Sequence, residues 1–421
     1  MTTASVLGRL FGLGLTLLPL MTQSACKKAD ASPGRADPFV VHEWGTFTSF
    51  QGAGGVSVDG LQHETEALPS FVHSRLDPRT SPLSIYGDAS RDVPVRHCTG
   101  KMETPVIYFH SQTARRVKVH VEFGGLLSQW YPAASGATPA FTGGEEHDLG
   151  AIARSSLDWD LDVVPRSQPA PAVPQVAAQS DWQKAREVDA ASVRAANSAE
   201  AEQYVFYRGL MHSVAQPAVL PRGDDAVTLV NASPNVIATA FVLDMKESTG
   251  RFSVAQTTAP GARELSLASI APRPKAEVVA DVERAMTNAL VAQGLYADEA
   301  RAMVRTWSET WFTAEGTRVL YLVPRPVTDA TLPITISPTP DELVRVMVGR
   351  VELLMPAREA SLTSDLRLAT STDAKTREAA FARIAKLGRF VEPAMRSIAR
   401  RTQDAQVRAG TEAVLARLAK P

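Results

Sequence analysis

The sequence predicts an α+β protein that is mainly β: a β-sandwich-like body, a helical hairpin inserted late in it, and an α-helical tail at the C-terminus. Three patterns carry that expectation. Val117, Val119, Val121 and Phe123 alternate with Lys118, His120 and Glu122, the period of a half-buried strand. Val278, Val282, Ala285, Met286 and Ala289 recur at helical spacing between two strand-rich stretches. From Asp373 onward the whole pattern is helical.

Met1 to Arg9 holds one formal side-chain charge, Arg9, and is followed by the apolar run Leu10 to Met21 and by small residues up to Cys26. A basic start, a short apolar core and small residues before a cut describe an export signal over residues 1–25. The run is shorter than the roughly 20 apolar residues that a spanning helix needs. Ser24-Ala25-Cys26 resembles a bacterial lipobox, in which the cysteine is acylated and becomes the new N-terminus. Gln23 stands where that motif has an aliphatic residue, so a cut after Ala25 by an ordinary signal peptidase is the alternative. Lys27 and Lys28 follow, with no Asp, as in lipoproteins sent on to the outer membrane. The expected location is therefore outside the cytoplasm, in the outer membrane or periplasm, with the membrane reached through lipid on Cys26.

Cleavage before Cys26 leaves 396 of the 421 residues, room for two or three domains. A formal net charge of −1 argues against a nucleic-acid partner, which selects a basic face. The chain has two cysteines. If Cys26 carries lipid, Cys98 is left over in an oxidising compartment, as a buried small hydrophobe, a metal ligand or a redox-active thiol.

Residues 26–38 are small and polar and read as a tether. Residues 39–164 form a β-rich stretch: Val106 to His110 is a strand begun by Pro105, and 111–116 joins it to 117–123 as a hairpin. Gly and Pro clusters at 52–60, 132–144 and around Gly87 mark loops. Residues 165–200 read as a Pro- and Ala-rich linker followed by a helix over 181–196, capped by Asp181, with Trp182, Ala185, Val188 and Ala196 on one stripe. Strands resume across 201–356, interrupted by the helical insertion 275–312, whose first helix ends at Gly294. Because β-rich sequence brackets it, this pair reads as an insertion or lid on one β assembly. Residues 363–421 form the helical tail. Its string Leu387-Gly388-Arg389-Phe390-Val391-Glu392-Pro393-Ala394 resembles the turn of a HEAT repeat. One such unit cannot bury its own face, so it is expected to dock on the body or on a partner.

Several strings recur together: Val41-His42-Glu43-Trp44-Gly45-Thr46-Phe47-Thr48, Lys101-Met102-Glu103-Thr104-Pro105-Val106, Gln129-Trp130-Tyr131-Pro132, Phe206-Tyr207-Arg208-Gly209, Trp307 to Phe312, Val323-Pro324-Arg325 and Val346-Met347-Val348-Gly349-Arg350. They resemble a family of large exported proteins of planctomycetes, acidobacteria and myxobacteria that has no assigned activity. The resemblance spans residues 39–356 and implies no reaction. Where this chain has His110, that family carries an aromatic residue.

Seven of the eight histidines lie between positions 42 and 147, well above an even spread. Imidazole is the commonest metal ligand. His42, His63 and His97, with Cys98, make the candidate metal set, for zinc or copper, and Glu43 or Glu103 is the candidate general base beside a metal-bound water. No standard metal motif supports them: His63-Glu64-Thr65-Glu66 lacks the second histidine of H-E-x-x-H. His120, His73 and His147 read as solvated strand or loop residues. Neither a G-x-S-x-G elbow nor a phosphate loop occurs. Arg208, Arg325 and Arg350 could bind an anion, but read more simply as anchors of loops by salt bridges. Trp44, Trp130, Tyr131, Trp307 and Trp311 could line a carbohydrate-type cleft, although aromatic residues at such spacing are more often core.

Two readings follow. The first is a lipid-anchored cell-envelope protein that works by binding or assembly, with a protein or glycan partner. The second is a metal-dependent enzyme, a hydrolase using the histidine-rich N-terminal region. The anchor is checked directly: the wild-type protein is expected to label with palmitate and partition into detergent, and Cys26→Ser to be soluble and unlabelled. A wild-type protein cut after Ala25 and free of lipid overturns it.

Overall fold

The computed structural model describes residues 37–52, 54–61, 68–75, 95–140, 147–212 and 217–418. The expected export signal, Cys26, His63 and the expected loop around Gly87 lie outside them. Ten strands build the main sheet: β1 (Val40–Gln51), β2 (His73–Ser74), β3 (Gly100–His110), β4 (Leu126–Tyr131), β5 (Val205–Met211), β6 (Ile237–Met245), β7 (Thr249–Thr258), β8 (Arg273–Pro274), β9 (Gly316–Leu322) and β10 (Glu342–Leu353). Their spatial order is β8-β7-β6-β9-β10-β1-β3-β5-β4-β2. The β1–β10 pair is parallel and every other pair is antiparallel. Strands from the two predicted β-rich stretches thus interleave in one sheet, and residues 37–421 form a single compact unit.

Layers cover both faces of that sheet, which is why its central strands are buried almost throughout and do not alternate between buried and exposed residues. On one face lies a six-stranded sheet centred on Arg115–Phe123 and Ser155–Val164. Here the predicted alternation is realised: Val117, Val119, Val121 and Phe123 pack with Ile107, Phe109, Trp159 and Tyr207 in the sandwich core. A three-stranded sheet (Ala218–Arg222, Ala226–Asn231, Gly261–Ser266) caps the far end, packing Val219, Val227 and Leu265 on Val242 and Val319. On the opposite face lie α1 (Asp181–Ala185), α2 (Lys275–Ala292) and α3 (Ala297–Ser308). Val278, Val282, Met286 and Leu290 of α2 and Ala300, Met303 and Trp307 of α3 meet Trp44, Phe241, Leu243 and Val346 of the sheet. The inserted hairpin is there, as a cover and not a free lid.

Two local expectations are corrected. The helix expected over 181–196 stops at Ala185, and Ser192–Ala195 is instead a strand. It pairs with the Leu161–Val164 edge, so tertiary hydrogen bonding overrides a weak helical stripe. Pro105 does not begin β3. The strand starts at Gly100 and runs through the proline at a bulge, the place where a residue without an N–H is tolerated in a central strand.

After α4 (Arg325–Thr331), a helix of about two turns before β10, the tail comprises α5 (Pro356–Leu368), α6 (Ala374–Ala385), α7 (Val391–Arg401) and α8 (Ala405–Leu418). The helical run therefore opens at Pro356, ahead of the predicted 363. It docks on the body: Leu362, Leu366, Ile384, Met395 and Val407 enclose Phe50, Leu126, Leu210, Leu354 and Cys98. Phe390 stacks on Phe50 at 5.2 Å between ring centres. Beside it, the Arg389 guanidinium donates to both oxygens of Glu103, at 2.6 and 3.1 Å. This pair is almost wholly buried.

Burial alone would raise the Glu103 pKa, but Arg389, with Lys101 and Arg208 further off, holds it well below the usual carboxylate range. Removing one partner of a buried pair leaves an uncompensated charge, so Arg389→Ala is expected to cost about 3 kcal/mol in denaturant melts. Because the folded pKa is depressed, this contribution is complete above the unfolded value of ~4.3 and fades as pH falls toward the folded one. The gap between wild type and variant is expected to narrow in acid; a gap independent of pH would mean the loss is packing alone.

Candidate functional site

Three of the strings that stood out in the sequence, 41–48, 101–106 and 206–209, meet at one place in the main sheet. Trp44 is register partner to Val106, but Thr46 pairs with Glu103, so Thr104 and Pro105 together face Gly45. On the other side of β3, Phe206 pairs with Val106 and Gly209 with Met102, leaving Tyr207 and Arg208 opposite three residues. The same β5 segment slips again against β4. Three neighbouring strands thus break register together. Bulges re-aim side chains and concentrate beside functional sites. Thr104 sits at φ 43°, in the left-handed region that a β-branched residue adopts only under strain.

Above this floor a cleft of about 400 Å³ opens between α1 and the end of α3. It is lined by Trp44, Thr104, Tyr204, Phe206, Trp182 and Trp307, with Glu103, Asp181, Lys184 and Arg208 supplying charge. The volume lies in the range of small-molecule sites. Each wall is held by specific bonds. Tyr204 donates its hydroxyl to the Trp182 carbonyl at 3.0 Å and Tyr108 to that of Ala185 at 2.7 Å, which hangs the short α1 from the sheet. Trp182 Nε1 donates to Glu202 at 2.8 Å, and Arg186 clamps the same carboxylate at 2.9 and 2.7 Å. On the other wall α3 passes into a π-turn, Glu309–Thr313, and Trp307 stacks on Trp311 at 5.9 Å. Such π-turns are frequent at functional sites. Among the lining residues, Thr104 keeps a buried hydroxyl and Trp307 a buried indole N–H without a hydrogen-bond partner among the described residues.

A second group lies under the start of the same helix. Glu299, in the first turn of α3, accepts from the Tyr296 backbone N–H at 2.8 Å. His42 Nδ1 lies 2.7 Å from its Oε2 and His110 Nε2 lies 2.9 Å from its Oε1. These hydrogen bonds outweigh burial and lower the Glu299 pKa. His42 and Glu299 are fully buried and His110 is 14% exposed, with the Tyr296 ring packed on both imidazoles. One ligand atom from each residue lies within 4.8 Å of the others, so the group could hold a metal ion.

The predicted metal set does not assemble as expected. His42 belongs to this group with His110 and Glu299, neither of which was in the predicted set. His97 and Cys98 stand at the other end of β3, since β1 and β3 run together from the His42–Tyr108 row to the Ser49–Gly100 row. Seven residues of strand amount to roughly 23 Å. There His97 bonds Asp148 at 2.8 Å and Cys98 is a buried thiol turned to the Gly100 carbonyl at 3.5 Å. The candidate bases are corrected as well. Glu43 points to the opposite face from His42 and Trp44, where it is paired with Arg345 at 2.5 Å and accepts from Tyr207. Glu103 does line the cleft, but its depressed pKa suits a permanent acceptor and not a base that must take up a proton near neutrality. Of the five aromatic residues named from sequence, Trp44 and Trp307 line the cleft; Tyr131 and Trp311 fill the helix-covered core, and Trp130 the sandwich core. Arg350 pairs with Glu352 on its own strand and Arg325 with Asp329 one turn along its own helix, and neither pair ties down a loop.

No protein-family model matches the chain, and no curated protein matches it. Among solved structures, it is similar to an Fcho1 Mu homology domain from Danio rerio with bound Eps15 peptide, at 7% identity. That match covers 75% of this chain and 97% of the other with a TM-score of 0.27, a level that carries neither fold nor function across.

The strain at Thr104 is measurable. Thr104→Gly removes the left-handed penalty and a buried hydroxyl, and is expected to stabilise the protein by about 0.5–1 kcal/mol in chemical denaturation. A destabilised variant would show that the threonine side chain is needed for packing.

Proposed function

We propose that this is an exported, lipid-anchored cell-envelope protein that binds a hydroxyl-rich, glycan-type ligand in the cleft between Trp44, Trp182 and Trp307. The motifs in its floor also support membership of the exported bacterial family that they resemble. The observation that carries the reading is the strained Thr104 at the joint bulge of β1, β3 and β5, in a lining that combines aromatic walls with unsatisfied buried donors. Strain of this kind persists where the surroundings over-determine it, and it clusters in ligand clamps. Aromatic walls suit the apolar faces of sugar rings, while Glu103, Arg208 and the Asp181–Lys184 pair offer acceptors and donors for ring hydroxyls.

The second reading, a metal-dependent hydrolase, draws on the His42–His110–Glu299 group, a nitrogen and oxygen donor set compatible with zinc or copper. It is the weaker one. None of the three donors lines the cleft, and Glu103, one of the carboxylates that does, is paired with Arg389.

Tryptophan fluorescence and calorimetry of the purified mature protein, titrated with neutral, acetamido and acidic oligosaccharides, test the proposal. At least one class is expected to bind and to quench tryptophan emission. Trp307→Ala is expected to weaken it at least tenfold, equivalent to ~1.4 kcal/mol. A flat response from all three classes, in a protein that melts normally, overturns the reading.

A further inference from the structure

We propose that His42, His110 and Glu299 form a transition-metal site, best suited to zinc, that clasps the helical hairpin to the sheet and sets where Trp307 stands over the cleft. The three donors come from β1, β3 and α3, elements far apart in sequence whose only shared chemistry here is metal ligation or a hydrogen-bonded bracket. Zinc with His and carboxylate ligands at about 2.0–2.1 Å in a tetrahedron separates its ligand atoms by roughly 3.3 Å. The observed contacts of 2.7 and 2.9 Å run to the two different oxygens of Glu299, and one ligand atom from each residue lies within 4.8 Å of the others, so side-chain shifts of up to about 1.5 Å bring the three donors onto one ion. With two neutral imidazoles and one carboxylate the set has no thiolate to favour copper(I), and its nitrogen and oxygen donors match zinc.

His42 is 1% exposed, and its Nε2 is buried without a hydrogen-bond partner among the described residues. Nδ1 is the ring nitrogen that faces Glu299 and takes the ion, while Nε2, on the far side of the ring, stays buried in either state. His110, the one partly exposed member, marks the side from which an ion and a completing water enter. Tyr296 lies across both rings at 4.4 and 4.8 Å and shields the rest.

The mechanical consequence follows from rigid elements. Glu299 opens α3 and Trp307 closes it, eight residues or about 12 Å apart on one helix. His42 and Trp44 lie two residues apart on the same face of β1. An ion joining His42 to Glu299 therefore fixes the distance between Trp44 in the cleft floor and Trp307 in its wall. This coupling rests on the cleft being the ligand site; the metal site itself does not.

The test uses mature protein purified without an affinity tag, with zinc(II) as the probe. Near-stoichiometric zinc is expected, together with a four-coordinate visible spectrum after cobalt(II) exchange. His110→Gln and Glu299→Gln are each expected to lower zinc affinity at least tenfold, within the range for loss of such groups. His110→Gln keeps an amide donor at a partly exposed position, and its circular dichroism reports that it folds. His120→Gln, whose imidazole bonds Asp158 and Glu122 on the other sheet, is expected to change nothing. Substoichiometric zinc indifferent to His110→Gln and Glu299→Gln overturns the site. For the clasp, chelation is expected to increase acrylamide quenching of the wild-type protein but not of Trp307→Phe, and to weaken any oligosaccharide binding about tenfold. Zinc that binds and can be removed with no change in Trp307 quenching overturns the clasp. If oligosaccharide never binds while zinc and quenching behave as expected, only the choice of ligand in the cleft has failed.

Discussion

The close approach of Gly45 to Pro105 governs the site-bearing half of this molecule. A Cβ at position 45 would lie 2.9 Å from the Pro105 Cα and 3.0 Å from the Met347 sulfur, so only glycine lets β1 pass the proline. Pro105 cannot donate to a neighbouring strand, yet β3 is central and buried on both faces, and the ladder can continue only by inserting an extra residue. The bulge that results turns successive side chains to different tasks. Thr104 lies in the cleft lining under strain, and Glu103 joins that lining while reaching Arg389 of the tail. Gly349 in β10 has a similar part: a Cβ there would fall 2.0 Å from the Tyr321 ring, which crosses its backbone.

Buried charges give this apolar sheet its alignment. Glu43 and Arg345 are direct register partners of the parallel β1–β10 pair, and Arg318 and Glu352 are partners across β9–β10. Each pair is hydrogen-bonded, at 2.5 and 2.6 Å, and nearly inaccessible to water. Strands that are buried on both faces have little else to prevent slippage. A shift of one residue would strand several charges in the core, a penalty far larger than the loss of packing alone. The same logic extends to the tail, whose Arg389 and Phe390 complete charge and ring contacts begun by Glu103, Arg350 and Phe50.

The cleft and the histidine group share their supports. Both stand on the helix-covered face of β1 and β3, and both take their second wall from α3, so the position of one helix governs them together. That helix is held at its start by Glu299 and at its end by the stacked Trp307 and Trp311. The short α1 opposite is held by tyrosine hydroxyls and by Glu202. The restraints on α3 span three and four residues, whereas those on α1 reach across 20 to 77 residues.

Periodicity carried the sequence reading where one face of an element is exposed. The strand 117–123, the hairpin 275–312 and the helical tail were legible because solvent on one side imprints alternation or a stripe. The motif strings marked the cleft floor without revealing it, since glycine, proline and aromatic residues at a bulge leave no period. The two-faced strands were harder to order, because an apolar run says nothing about its neighbour. Interleaving of 39–164 with 201–356 was accordingly invisible, as was the conversion of 192–195 into a strand by pairing with 161–164. The histidine excess was real, but which histidines meet is a matter of register. His42 and His110 face one another's neighbourhood only through β1–β3 pairing, and Glu299 arrives from 257 residues away. Composition and pattern determined the class of fold, the surfaces that had to be buried and the residue types available for chemistry. The grouping of those residues into a cleft and a buried donor set was decided by long-range strand pairing and by the docking of α3, which depend on contacts that no local window contains.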